Sequence, residues 1–233
     1  LFFPNLIAGP LVRPNSFIPQ IIKGIKFSSK NLKTASILIL WGYFLKLCIS
    51  NNLNIYVGNV FNNVGELNSS TLAVGAFFYS FLIYSDFAGY SLIAIGIAKM
   101  IGLNMPANFN NPFFSNSLTE FWRKWHISLS KFLRDYLYIP LGGSKYGLLK
   151  TCKNILIVML LGGLWHGASF NFIIWGGLHG IFLSLEKIKN YYFNIKIKNI
   201  FLTRIYTFSL VVIFFIPFGL PSFDSFLLFC KTI

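Results

Sequence analysis

The chain has 233 residues, of which 55% are hydrophobic and only 11% charged, and its mean hydropathy is +0.64. A soluble globular domain carries roughly 25% charged residues, so the composition excludes that class and points to an integral membrane protein. The net charge of +14 does not call for nucleic acid, because the basic residues sit between apolar blocks, as the positive-inside rule expects.

The chain opens on Leu1 with no signal-peptide pattern, which reads as a piece of a longer protein. Residues 1–12 are apolar, and Pro10 and Pro14 break any helix there. A basic loop with Lys23, Lys26, Lys30 and Lys33 precedes a first span over residues 34–50, with Lys46 placed to snorkel to the interface. Residues 51–71 carry no Lys or Arg and many Asn. A long apolar block, 72–101, is interrupted only by Asp86 and Lys99, and a Pro- and Asn-rich loop follows.

Residues 117–138 read as one amphipathic helix along the membrane surface or the cytoplasmic rim of a bundle. Ser117 and Glu120 have capping-box spacing. Leu118, Phe121, Trp122, Trp125, Leu129, Phe132, Leu133 and Tyr136 fall on one face, and Arg123, Lys131 and Arg134 on the other. His126 falls at the border.

Residues 154–185 contain no Asp, Glu, Lys or Arg. One straight helix of that length would run about 48 Å at about 1.5 Å per residue, against a hydrocarbon core of about 30 Å. Gly162, Gly163, Gly167, Gly176, Gly177 and Gly180 offer breaks. Lys145, Lys150 and Lys153 flank one end, and Lys187, Lys189, Lys196 and Lys198 the other. Both ends therefore belong on the cytoplasmic side, and the block predicts a hairpin or re-entrant pair turning near residues 167–171. Residues 200–220 form a last span, with Pro217 and Pro221 near its end. The fold class is all-α: a polytopic membrane helix bundle with broken or re-entrant helices.

His166, in Gly162-Gly163-Leu164-Trp165-His166-Gly167, is the leading candidate for chemistry. An ionisable group in an apolar span is costly to keep, and imidazole suits acid–base work near neutral pH. His126, in Phe121-Trp122-Arg123-Lys124-Trp125-His126, is the second candidate. His179 reads as a structural hydrogen-bonding partner. Asp86 reads equally as an ion pair, with Lys46 as the partner, or as polar lining of a substrate path. Arg123, Lys124 and Arg134 read as cytoplasmic-face positives that could attract an anionic donor or an acidic carrier protein. Cys48, Cys152 and Cys230 have no metal or redox spacing, and no carboxylate accompanies the histidines, so no metal site is expected.

Several motifs together resemble the membrane-bound O-acyltransferase family. They are the opening Leu1-Phe2-Phe3-Pro4-Asn5-Leu6-Ile7-Ala8-Gly9-Pro10, Tyr84-Ser85-Asp86-Phe87-Ala88-Gly89-Tyr90, residues 120–130 around Trp125-His126, residues 133–143 around Ile139-Pro140-Leu141-Gly142-Gly143, and the Trp165-His166-Gly167 run. They are most similar to its alginate O-acetyltransferase membrane subunits, with the D-alanyl transfer proteins of teichoic acid modification as relatives. The resemblance implies a single domain over 1–233, N-terminal helices before Leu1, and a bundle enclosing a tunnel. It implies that the family's essential histidine corresponds to His166 and its second, upstream polar position to His126, with Trp125, Trp165, Arg123, Asp86 and His179 in supporting or substrate-path positions. The implied location is the bacterial cytoplasmic membrane. The implied substrate is an acyl thioester, acetyl-CoA or an acyl carrier, with no bound cofactor. The implied partners are an extracytoplasmic acetyltransferase or polysaccharide-modifying protein, an acyl carrier protein and membrane lipid. Phe214-Phe215-Ile216-Pro217-Phe218 departs from the family's aromatic pair followed by arginine, which bears on the last helix rather than the core.

Two other readings compete with polysaccharide O-acetylation: D-alanyl transfer to teichoic acid, and a channel or transporter subunit in which His166 and Asp86 form a proton or solute path. The Lys and Arg distribution places 13–33, 102–153 and 186–204 in the cytoplasm and 51–71 outside. A cysteine introduced at Asn62 is therefore expected to react with an impermeant thiol reagent from the outside. Labelling from the cytoplasm alone would contradict this topology.

Overall fold

The computed structural model describes residues 9–24, 28–193 and 199–233, and all regular structure among them is helical. Most of the opening motif, residues 1–8, and the basic residues Lys26, Lys196 and Lys198 lie outside the described residues. Four helical stretches are long and apolar enough to cross a membrane: Ser29–Asn62, Ser69–Met100, Gly147–His166 and Ile200–Gly219.

The N-terminal part differs from the sequence reading. Residues 9–13 are non-helical, as Pro10 and Pro14 led one to expect, but the stretch after them is not all loop: Pro14 is the first residue of α1 (Pro14–Ile22), where its missing N–H costs nothing. Lys30 and Lys33 belong to α2 (Ser29–Tyr43) rather than to a loop. The first span does not stop at residue 50. A π-helical stretch, Phe44–Ser50, leads without interruption into α3 (Asn51–Asn62). The asparagines of α3 have weak helix propensity, but Val57, Val60 and Phe61 bury with Leu72 and Ala76, and this packing overrides it.

Central helix α4 (Ser69–Met100) starts at Asn68, whose side chain accepts from Thr71 N at 2.9 Å. It lies against α2 with backbone almost touching backbone. A Cβ on Gly42 would sit 2.7 Å from the Gly89 carbonyl oxygen, and one on Gly89 would sit 2.8 Å from that of Gly42. Small residues allow such close approach inside membranes.

The 117–138 segment is not one surface helix. It is split into α5 (Leu118–Lys124), α6 (Ile127–Leu133) and a π-helical turn, Arg134–Tyr138. Its apolar face is only partly as expected. Leu118, Phe121, Trp125, Leu129 and Leu133 bury, but Phe132 and Tyr136 are exposed. Phe121 and Trp125 join Trp175, Val211, Phe214 and Phe215 in one apolar cluster, which draws the segment into the bundle.

The hairpin is present. α7 (Gly147–His166) is followed by a turn at residues 167–169 and by α8 (Phe170–Tyr192), whose start Ser169 caps by accepting from Asn171 N at 3.3 Å. Twenty residues at about 1.5 Å each span about 30 Å, the thickness of the core. Of the glycines taken as breaks, only Gly167 ends a helix. Gly163 and Gly176 lie inside helices and set the contact between them. A Cβ on Gly163 would sit 2.2 Å from the Phe172 carbonyl oxygen, and one on Gly176 would sit 2.3 Å from that of Met159. Helix α9 (Ile200–Gly219) packs on α4 and α8, and α10 (Phe223–Thr232) closes the chain.

Gly176→Ala should therefore lower the thermal midpoint in detergent, since overpacking costs about 1–3 kcal/mol. Gly177→Ala should not, because its Cβ would meet only a Leu160 methyl, at 3.8 Å. Equal midpoints for the two variants would contradict this packing.

Candidate active site

His166 is the last residue of α7, at the tip of the hairpin. Four aromatic rings surround it: Trp165 at 5.0 Å, Phe218 at 5.0 Å, Trp175 at 5.3 Å and Phe172 at 6.1 Å between centroids.

His126 reaches the same place by a different device. α5 ends at Trp125, whose backbone is extended, and His126 takes a left-handed conformation with φ 41° before α6 begins. A non-glycine residue held there costs about 1–3 kcal/mol, and such strain collects at functional sites. The loop before α5 holds the break in place. Asn108 accepts from Ile127 N with its backbone oxygen at 2.9 Å and from Ser128 Oγ with its side chain at 2.6 Å, and its amide donates to Ser91 Oγ on α4 at 3.0 Å. The His126 ring lies edge-on to Phe87 at 4.5 Å and 6.4 Å from Trp165. Both histidines therefore touch Trp165. The single helix expected to run through His126 is not formed, because the chain turns there instead of continuing.

The remaining residues singled out in the sequence divide clearly. His179 is fully buried on α8 and accepts from Trp122 Nε1 at 3.2 Å through Nδ1. Trp125 is buried in the apolar cluster, stacked on Phe121 at 5.5 Å. Arg123 is exposed, and no contact ties it to either histidine. Lys46 does not snorkel. It pairs with Asp86, which also accepts from Ser50 Oγ at 2.7 Å. Among the described residues, no three of His, Cys, Asp and Glu come together to hold a metal, and the three cysteines are free.

Several contributors were not legible in sequence. Trp175 bridges His166 and His179, at 5.3 and 5.1 Å. Phe218, in the segment that departs from the family pattern, forms part of the wall around His166. Among the described residues, four buried side-chain atoms lack a hydrogen-bonding partner: His126 Nδ1, Asn171 Oδ1, Trp175 Nε1 and His179 Nε2. Three of them belong to the rings just described, and the fourth lies one turn before Trp175. Buried polar atoms ordinarily have a hydrogen-bonding partner, so each of these four calls for one.

Two cavities flank this cluster. One, of about 610 Å³, lies between the ends of α5, α8 and α9 and is lined by Ser117, Phe182, Glu186, Lys189, Thr203 and Tyr206, among others. A run of packed rings separates it from His166: Phe182 against Phe214, Phe214 against His179, His179 against Trp175, and Trp175 against His166. The other, of about 360 Å³, lies between the first span, α4 and Phe218.

His126 and His166 thus both lie in ring contact with Trp165 in a helical chain with four stretches apolar enough to cross a membrane. A sequence model of the membrane-bound O-acyltransferase family matches residues 1–221, and the chain belongs to that family. It is 42% identical over 188 residues to "Probable alginate O-acetylase AlgI" of Pseudomonas putida, covering 79% of this chain and 38% of that protein. It is 40% identical over 188 residues to "Peptidoglycan O-acetyltransferase" of Helicobacter pylori, covering 80% and 36%. It is 31% identical over 195 residues to "Teichoic acid D-alanyltransferase" of Bacillus subtilis, covering 79% and 49%. The chain thus spans less than half the length of these relatives.

Burial pushes the His126 imidazole down to about 3, and the neighbouring His166 adds to the shift. A lowered value means the ring is neutral throughout the physiological range. The imidazole resonances of His126 should therefore stay unshifted in an NMR titration between pH 5 and 8. A titration step within that range would contradict the burial described here.

Proposed function

We propose that the full-length protein is a membrane O-acyltransferase that moves an acetyl group from a cytoplasmic thioester to hydroxyls of an extracytoplasmic polysaccharide. The observation that carries this reading is the convergence of His166 and His126 on Trp165. His166 takes the proton of the acceptor hydroxyl as its oxygen attacks the thioester carbonyl. The carbon–sulfur bond then breaks, and His166 returns the proton to the leaving thiolate. The neutral His126 donates a hydrogen bond to the oxyanion formed in between. Among the rings packed around His166, each of these hydrogen bonds counts for more than it would in water.

The two cavities support separate approaches. The larger one lies on the Lys-rich side that the positive-inside rule assigns to the cytoplasm, and it suits a thioester arriving as acetyl-CoA or on an acyl carrier protein. The smaller lies beside the π-helical stretch with Lys46, just ahead of residues 51–62, which carry no Lys or Arg, and it suits an acceptor or a partner protein arriving from outside. The setting is the bacterial cytoplasmic membrane. The alginate and peptidoglycan relatives, at 40–42% identity, favour acetyl over D-alanyl as the acyl group, since the teichoic acid relative stands at 31%. For a channel subunit, the family membership is unfavourable.

His166→Ala in the full-length protein should abolish acetylation of the acceptor polymer, with expression and membrane insertion unchanged. A positioned general base contributes about 10²–10⁴ in rate. His179→Ala should lose far less. Acetylation measured in cells at matched protein levels checks this, and near wild-type transfer by His166→Ala would refute the base assignment.

A further inference from the structure

His126 occupies the cap position of α6, yet its side chain does not cap that helix. The first N–H groups of a helix have no partner within it, and the side chain of the cap residue ordinarily takes one of them. Here Asn108, from the loop before α5, takes two. Its backbone oxygen accepts from Ile127 N at 2.9 Å, and its side-chain oxygen accepts from Ser128 N at 3.3 Å. The imidazole is thereby spared a bond to its own helix and lies against Phe87 and Trp165 instead.

Ser128 fixes Asn108 in this task. Its hydroxyl has one proton to give and can accept in return. The backbone N–H of Leu11 donates to Ser128 Oγ at 3.0 Å, and the hydroxyl proton goes to the Asn108 side-chain oxygen at 2.6 Å. Leu11 belongs to a non-helical strap, residues 9–13, that runs along α6. Farther along, Arg13 donates to the Lys131 carbonyl at 3.3 Å and pairs with Asp135. On the other side, the Asn108 amide donates to Ser91 Oγ of α4 at 3.0 Å. Asn108 is only 1% exposed and Ser128 7%, so water does not compete for these bonds.

We propose that Asn108 and Ser128 are positioning residues for the acyl transfer: they cap α6 in place of residue 126 and so keep the His126 imidazole aimed at the centre it shares with His166. The proposal rests on the role given to His126 above. Both residues act through His126 and not on the substrate. A cap that served only the fold would matter equally whatever side chain stood at 126. A positioning cap matters only while an imidazole is there to be aimed.

The test compares Ser128→Ala and Asn108→Ala in two backgrounds, wild type and His126→Ala. Alanine at 126 neither caps α6 nor offers a group to aim. Inverted membrane vesicles carrying the full-length protein are supplied with radiolabelled acetyl-CoA, and acetyl transfer to the vesicle polysaccharide is measured. In the wild-type background each variant should lower kcat about tenfold or more, while the KM for acetyl-CoA stays at its wild-type value. In the His126→Ala background the same substitutions should change the residual rate by about twofold at most. Ser128→Thr, which keeps the hydroxyl, should restore most of the rate, and the Ser128 pair gives an answer even if Asn108→Ala does not fold. Equal losses in the two backgrounds would overturn the proposal, as would a Ser128→Thr as slow as Ser128→Ala. Wild-type transfer by His126→Ala would refute the role given to His126, and the positioning with it. An impaired His126→Ala beside an unimpaired Ser128→Ala would refute only the positioning.

Discussion

The arrangement depends on how closely α7 approaches α8. In a membrane the lipid is as apolar as the side chains, so helices gain little from hydrophobic burial against each other and associate through packing. Here the packing is backbone on backbone, with Gly163 against the Phe172 carbonyl and Gly176 against that of Met159. That contact holds the hairpin shut and fixes its tip. His166 is at the tip, so its position is set by two rigid helices rather than by a loop. Trp175, one residue before Gly176, is carried by the same contact to the edge of the His166 ring.

His126 is positioned by a complementary device. A continuous helix over 117–138 would have kept its apolar side on a surface. Breaking the chain at Trp125 and His126 lets Trp125 enter the apolar cluster and turns His126 toward Trp165. The left-handed backbone is held by Asn108, which bridges α4 through Ser91 and the start of α6 through Ile127 and Ser128. At the far end of the segment, Glu186 of α8 accepts from Leu118 N at 2.9 Å and so ties the start of α5 to the hairpin. The two histidines are thus held by one connected scaffold, although 40 positions separate them in the chain (166 − 126).

What the sequence made legible was local or compositional. The block over 154–185 is too long and too glycine-rich to be one span and has basic residues at both ends, which was enough to place the hairpin and its turn. His166 stood out as an imidazole with no charge nearby in sequence, and Asp86 with Lys46 as an expected pair. The features missed depend on distant partners. Periodicity continues unbroken through His126, and nothing near it indicates that Asn108 will stabilise a left-handed turn. The asparagines of 51–62 read as a loop because propensity is local, whereas the burial of Val57, Val60 and Phe61 that makes them helical is not. The glycines read as hinges because composition cannot distinguish a break from a close contact.

The central claim is that His166 and His126 act on one reacting centre. A double-mutant cycle on acetyl transfer, with His126→Asn, His166→Gln and the combined variant, tests it most directly. Groups that act as a unit give a combined variant little worse than His166→Gln alone, and that is the result expected here. Losses that multiply in the combined variant would show two independent contributions and contradict a single shared site.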